Sequence, residues 1–175
     1  FPSGFAEKYE IKSFRNAANL LSVAHQSESS QLFATLKAFD IKMDDILKGG
    51  GNKSQVAKRL ENELHPLGWN ETRISGDLVV RRRARALNTK TKSPKFHKLD
   101  DSSILENFLD GHQIDFVKDR VAFDLEWNSK DQTFDRDLYA FRTFYECGII
   151  SCGVILTRSE SLNNVFSKLN IKNKY

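Results

Sequence analysis

From Ser13 to the glycine run Gly49-Gly50-Gly51-Asn52, apolar residues recur at helical spacing. Phe14, Ala17, Ala18 and Leu21 predict a helix within Ser13–Val23, and Leu32, Phe33, Leu36 and Phe39 predict another within Ser30–Phe39. Beyond the glycines, Ser54 is placed to cap a third helix carrying Val56, Leu60 and Leu64, which stops at Pro66-Leu67-Gly68. Trp69 to Val80 reads as a weak strand. Asp101 or Ser102 then opens a short predicted helix bearing Ile104, Leu105, Phe108 and Leu109, ended by Gly111. From His112 the period changes to two. His112–Val117 and Val121–Asn128 are predicted strands joined by a Lys118-Asp119 turn. Phe134–Cys147 follows as an amphipathic helix with Phe134, Leu138, Phe141 and Tyr145 on its apolar face and Gly148 as its C′ residue. Ile149–Thr157 is an apolar strand, and Ser161 opens a last helix with Leu162, Val165, Phe166 and Leu169. Strand–helix–strand at this length implies a parallel pair with a right-handed crossover. The second half is therefore α/β, behind a helical first third.

The 175 residues are enough for one domain with one sizeable core. With 39% hydrophobic and 29% charged residues, and no apolar run near the roughly 18 residues a membrane span needs, composition excludes a transmembrane helix. Cys147 and Cys152 are too few for a disulfide framework, fit a reducing cytoplasm, and read as buried thiols. Phe1-Pro2-Ser3-Gly4 has no signal-peptide pattern, and both ends read as those of a fragment from a slightly longer chain.

The net charge of +4 is unevenly placed. Residues 81–98 hold Arg81, Arg82, Arg83, Arg85, Lys90, Lys92, Lys95 and Lys98 and no acid; the remainder has 19 basic against 23 acidic residues. Thr89, Thr91, Ser93 and Pro94 interrupt this run, so it reads as a loop or arm. Such local density suits a polyanion, because each neutralised phosphate releases condensed counterions; a solvated flexible loop would look the same.

Chemistry enters with the strand from Val121. Its odd positions, Val121, Phe123, Leu125 and Trp127, form an apolar face able to pack under the following helix; its even positions are Ala122, Asp124, Glu126, Asn128 and Lys130. Strands of a buried parallel sheet are normally apolar on both faces. Upstream, Asp115 lies between Ile114 and Phe116. A two-residue turn within Val117–Arg120 sets Asp115 opposite Ala122 and diagonal to Asp124, whereas a four-residue loop sets it directly opposite Asp124. Either way the three acids share a face, at about 5–8 Å between neighbouring Cβ atoms. Carboxylates that close repel unless protonated or neutralised by a cation. Oxygen-only ligands suit Mg²⁺, which keeps waters and binds through one or two acids plus substrate phosphate. The pattern outlines a metal-dependent phosphodiesterase site; a half-exposed strand with a wet face would show the same alternation. His25, His65 and His97 have no ligand spacing, and His112 reads as an ordinary turn residue.

The run from His112 through Asp115, Asp124 and Glu126 to Trp127 resembles the active-site hairpin of Type II restriction endonucleases of the BglII/BstYI kind. Phe134-Asp135-Arg136-Asp137-Leu138 through Cys147-Gly148-Ile149-Ile150 to Gly153-Val154-Ile155 resembles the helix and strand that follow it. The likeness is good from Gly111 to Arg158; before that it is limited to a helix followed by Leu67-Gly68-Trp69. It implies an α/β PD-(D/E)XK fold, a mixed sheet flanked by helices with a helical N-terminal subregion. As domains, it implies one unit over 1–175, with a helical subregion at 1–70, the basic arm at 81–98 and a catalytic core at 111–158. It further implies a bacterial cytoplasmic homodimer that cuts double-stranded DNA with Mg²⁺ within a restriction-modification system, where a cognate methyltransferase protects the host.

By the same resemblance, Asp115 matches the first metal-binding aspartate and Asp124 the second acid. Glu126 departs from the pattern, standing where most relatives of the fold carry lysine and the BglII kind glutamine; the related BamHI has glutamate. Asp115, Asp124 and Glu126 are the expected metal-site residues. Lys130 is the expected cation near the attacking water, in an alternative Asn128-Ser129-Lys130 register, with Asn128 lining the site. Glu61 or Glu63 is a remote acid that could reach the metal. Arg81, Arg82, Arg83, Arg85, Lys90 and Lys92 are the expected DNA-binding residues. The competing readings are a repair or modification-dependent nuclease of this fold and a DNA-binding module that has lost catalysis.

Overall fold

A computed structural model describes residues 1–47, 53–87, 90, 94–127 and 131–169, with side chains at all of these except 84–87, 94–101 and 131–133. The order is α1 (Phe5–Lys8), α2 (Ala17–Ala24), α3 (Gln26–Ala38), α4 (Met43–Leu47), α5 (Gln55–Leu64), a 3-10 turn (His65–Leu67), β1 (Asn70–Leu87), β2 (Pro94–Lys118), β3 (Val121–Glu126), α6 (Asp131–Glu146), β4 (Cys152–Thr157) and α7 (Leu162–Lys168). The chain forms two compact units, residues 1–72 with 114–175, and residues 73–113.

In the larger unit the helical first third forms as expected. Ser54 Oγ accepts the Ala57 N–H at 3.1 Å, satisfying one of the orphan donors that begin α5. The helix then presents Val56, Leu60 and Leu64 to the core and ends where Gly68 adopts φ 86°. α3 begins four residues before the predicted Ser30, and its Leu32, Phe33 and Leu36 are buried. Phe14 lies outside α2 and is 78% exposed, so the first predicted stripe is realised at Leu21, which is buried, and at Ala17, which packs partly buried against the core. The glycine run Gly49-Gly50-Gly51-Asn52 lies outside the described residues.

The strands form a mixed sheet in the order β1-β2-β3-β4, antiparallel between β2 and β3 and parallel between β3 and β4. Its two faces are covered differently. Val121, Phe123 and Leu125 join Phe116, Trp69 and the apolar sides of α3 and α5 in one core. This odd face therefore packs on the N-terminal helices and not, as the pattern suggested, under the helix that follows. α6 covers the even face instead. Gly153, paired with Ala122, lies so close under Phe141 that a Cβ there would sit 2.3 Å from the ring. The buried stripe of α6 is Asp137, Ala140, Phe141 and Phe144, while Leu138 and Tyr145, expected inside, are 56% exposed each. Gly148 does end the helix region at φ 72°.

Polar bonds tie the helices to the hairpin. Lys118 Nζ donates to Gln31 Oε1 at 2.8 Å and to the Leu67 carbonyl at 2.7 Å, and the buried Trp69 Nε1–H donates to the same Gln31 oxygen at 3.1 Å. Cys152 is buried, but Cys147 is exposed, contrary to expectation, because it falls in the turn after α6. Among the described residues no helix is long and apolar enough to cross a membrane.

The smaller unit is a two-stranded ribbon from the distal parts of β1 and β2. The basic run is thus not a loop at its start: Arg81, Arg82 and Arg83 are exposed strand residues of β1. The helix predicted from Ser102 is overturned, for Ser102–Gly111 is strand. Positive φ at Asn107 (52°) and Gly111 (44°) interrupts the pleat. That breaks the two-residue alternation, so the apolar residues fall in pairs and imitate helical spacing. Asp77 Oδ1 accepts the Asn107 N–H at 2.8 Å at the first of these kinks.

Candidate active site

The hairpin between β2 and β3 turns at Asp119-Arg120, one residue later than predicted, with Asp119 at φ 49° and Lys118 paired to Val121. This shift sets the register Val117↔Ala122 and Phe116↔Phe123, whose continuation puts Asp115 directly opposite Asp124. Backbone pairing stops there and the two carboxylates take over the donors. The Asp115 N–H donates to Asp124 Oδ1 at 2.8 Å, and the Leu125 N–H donates to Asp115 Oδ2 at 3.0 Å. Each acid is thereby held in place by the other strand.

Asp124 is only 4% exposed, and its second oxygen, Oδ2, is buried with no hydrogen-bond partner. Burial pushes its carboxyl up to about 7; the Asp115 N–H opposes this, and the charges of Asp115 and Asp137 add to it. Glu126 is half-buried and rises to about 8, through burial first and then its hydrogen bond to Asp137 and the charges of Asp137, Asp124 and Asp115. Asp115 is raised as well, by burial above all; the Leu125 N–H and Lys53 pull it down, and Glu71 and Glu61 push it up. Lys53 is ion-paired with Glu61, and this pair holds its ammonium more firmly protonated than usual.

Asp115, Asp124 and Glu126 are therefore brought together. Asn128 and Lys130 lie outside the described residues, as do Lys92 and the side chain of Arg85; Lys90 is an exposed turn residue. Of the two remote acids considered, Glu61 acts on Asp115, while Glu63 is exposed and lines a separate cavity with Phe39 and Arg59. Three participants escaped the sequence reading. Asp137, 1% exposed on α6, places a carboxylate oxygen within 4.8 Å of one from Asp124 and takes Arg136 Nε and Nη2 at 3.1 and 3.0 Å. Its signal was present: with Ala140, Phe141 and Phe144 it occupies the i, i+3, i+4, i+7 positions of a buried stripe. Glu71 and Lys53 left no such trace, because only folding carries them to Asp115.

The donor set suits a hard divalent cation. Its carboxylates offer the oxygen donors that such a cation takes, and burial raises the pKa of Asp115, Asp124 and Glu126 because it disfavours their charged forms. A mixed sheet with helices on both faces and a cluster of acids at the end of its central hairpin is the restriction-endonuclease-like α/β class. Over residues 9–175 the sequence matches the restriction endonuclease BglII/BglIII family, and the chain belongs to that family. It is thus a nuclease that acts on DNA. A search of curated proteins finds no match.

Proposed function

We propose that this chain is a Mg²⁺-dependent Type II endonuclease of the PD-(D/E)XK kind that hydrolyses both strands of duplex DNA at a short site. The observation that carries this reading is the Asp115–Asp124 exchange of hydrogen bonds around a buried, unpartnered Asp124 oxygen. Asp115 and Asp124 would hold the cation. When bound, it supplies positive charge against the charge developing on the scissile phosphate and eases deprotonation of a water.

The chain's own groups do the rest. Glu126, with a pKa near 8, accepts the proton of the attacking water as its oxygen bonds to phosphorus, one P–O ester bond breaks, and the leaving oxygen takes a proton from solvent water. Lys53 supplies an ammonium on the Asp115 side, where the position occupied by Glu126 offers no lysine. Asn128 and Lys130 remain proposed site residues, lining the cleavage site. Arg81, Arg82, Arg83 and Arg85, with Lys90 and Lys92, grip phosphates, an assignment supported by the exposure of Arg81–Arg83 and Lys90.

In this reading residues 1–175 work as one catalytic domain, and two copies act on the two strands. Leu138, Tyr139 and Tyr145 on the outer side of α6 are 56%, 72% and 56% exposed, an apolar surface of the kind that a second copy covers. The natural setting is the bacterial cytoplasm, beside a methyltransferase that protects host DNA.

Incubation with supercoiled plasmid in Mg²⁺ and in EDTA tests the proposal. Discrete linear fragments in Mg²⁺ alone are expected. DNA binding without cutting in either condition would mean a binding module that has lost catalysis, and cutting confined to methylated or damaged DNA a modification-dependent or repair nuclease.

A further inference from the structure

We propose that Arg81 and Arg83, on one face of β1, read guanines through the major groove of DNA, while Arg82 on the opposite face takes no part in sequence readout. The proposal rests on the reading above, in which this run meets DNA phosphates, and concerns what it does once the cognate sequence lies beneath it.

Successive side chains of a strand point to opposite faces, so Arg81 and Arg83 share one face of β1 and Arg82 takes the other. The two faces differ. With Arg82 stand Ile74, Gly76, Leu78 and Val80. Ile74 is buried, Leu109 Cδ1 lies 3.2 Å from where a Cβ on Gly76 would be, and Leu78 and Val80 are less exposed than Val79 between them. On this side the ribbon packs its own apolar residues, and Arg82 is engaged by another group of the chain. With Arg81 and Arg83 stand Arg73, Ser75, Asp77 and Val79. Asp77, the acid on that side, is bonded to the Asn107 N–H. The guanidiniums of Arg81 and Arg83 form no ion pair or hydrogen bond with a described residue. Counting outward from the Asp77–Asn107 contact brings Ser102 and Ser103 of β2 alongside, small uncharged residues that leave a guanidinium uncovered.

The dimensions select the groove. A ribbon whose two strands lie about 4.8 Å apart fits a major groove about 12 Å wide and is too broad for a minor groove of about 6 Å. Only one of its faces then meets base edges. A guanidinium offers paired donors that match O6 and N7 of guanine. Arg81 and Arg83 stand about 7 Å apart along the strand, which is about two base-pair steps of ~3.4 Å. Each therefore meets its own guanine. On other sequences the same two arginines fall back on phosphates, so all three share in the salt dependence while two carry the preference.

Selection from a randomised duplex library by the whole chain, at fixed salt and with Ca²⁺ in place of Mg²⁺, tests this. Wild type should enrich, for each copy bound, two G·C pairs about two steps apart. Exchange of either for A·T should weaken binding about 5- to 150-fold, and 7-deazaguanine, which lacks the N7 acceptor, should weaken it as well. Arg81→Ala should lose the preference at one pair and Arg83→Ala at the other, both with unchanged far-UV circular dichroism. Arg82→Ala should weaken binding to every sequence alike and keep both preferences. Preferences unchanged in Arg81→Ala or in Arg83→Ala, a preference lost in Arg82→Ala, indifference to 7-deazaguanine, or no enriched site each overturns the proposal. Discrete plasmid cutting beside any of these leaves the nuclease reading standing. An enriched guanine site with no cutting in Mg²⁺ removes that reading and keeps the ribbon as the reader.

Discussion

Replacing Asp124 with asparagine changes the charge of one buried side chain and almost nothing of its shape. Asparagine keeps an oxygen for the Asp115 N–H and puts an amide where the unpartnered Oδ2 stands. In the folded, metal-free chain the Asp124 carboxyl titrates at about 7, against 3.8 for an unburied aspartate. Between those values the folded state binds the extra proton, so stability falls as pH rises from about 4 to 7 and levels off above. Each pKa unit corresponds to about 1.36 kcal/mol. Ionised Asp124 therefore costs the metal-free fold roughly 4 kcal/mol at pH 8, by the same conversion. Urea unfolding in EDTA at pH 5 and pH 8 reads this directly. Wild type should lose stability between the two, and Asp124→Asn should lose less, ending more stable than wild type at pH 8 by about 2–4 kcal/mol, the lower figure allowing the neighbouring acids to share the relief. Mg²⁺ at a hundred times its dissociation constant should return about 2.7 kcal/mol to wild type and little to the variant. A variant less stable than wild type at pH 8 in EDTA, beside a wild type indifferent to pH, would refute the account of a buried charge awaiting a cation.

Asp115→Ala and Glu126→Ala should each reduce plasmid cleavage at least ~100-fold with unchanged far-UV circular dichroism, since each removes a group from the reacting centre; cutting retained by either reassigns that residue. Substituting Arg81, Arg82 and Arg83 together by alanine should flatten the dependence of log Kd on log salt by about 0.9 for each phosphate no longer neutralised, measured by fluorescence anisotropy on duplex DNA. An unaltered slope takes these arginines off the backbone. Gly153→Val should cost about 1–3 kcal/mol in urea unfolding, because the new side chain meets the Phe141 ring. Leu138→Glu with Tyr145→Glu should convert a dimer to monomers in sedimentation velocity, and a protein already monomeric before substitution dismisses the outer face of α6 as an interface.

Much of this molecule is written locally. The cap at Ser54, the stop at Gly68 and the three acids on one face of a hairpin all arise from neighbours within a few residues. For those the period and the turn chemistry are sufficient. The face shared by Asp115 and Asp124 was legible because any even loop preserves it; which residue opposed which was not, since moving the turn by one residue keeps the side and changes the pair. The helix read into Ile104–Leu109 failed for a related reason, because kinks at Asn107 and Gly111 erase the alternation by which a strand announces itself.

What only the tertiary structure decided is what comes from afar. The apolar face of β3 could have been covered by the helix after it or by those before it, and hydrophobicity is indifferent to which. Packing chose the N-terminal helices for that face and left α6 to the other. That choice carried Asp137 onto the acids of β3, and folding of the segment from Lys53 to the start of β1 carried Lys53, Glu61 and Glu71 to Asp115. Sequence alone therefore determined that this chain gathers carboxylates on a hairpin; the arrangement of its layers determined how many, and which cations face them. Electrostatic neighbourhoods depend on distance through space, and distance along the chain carries no record of it.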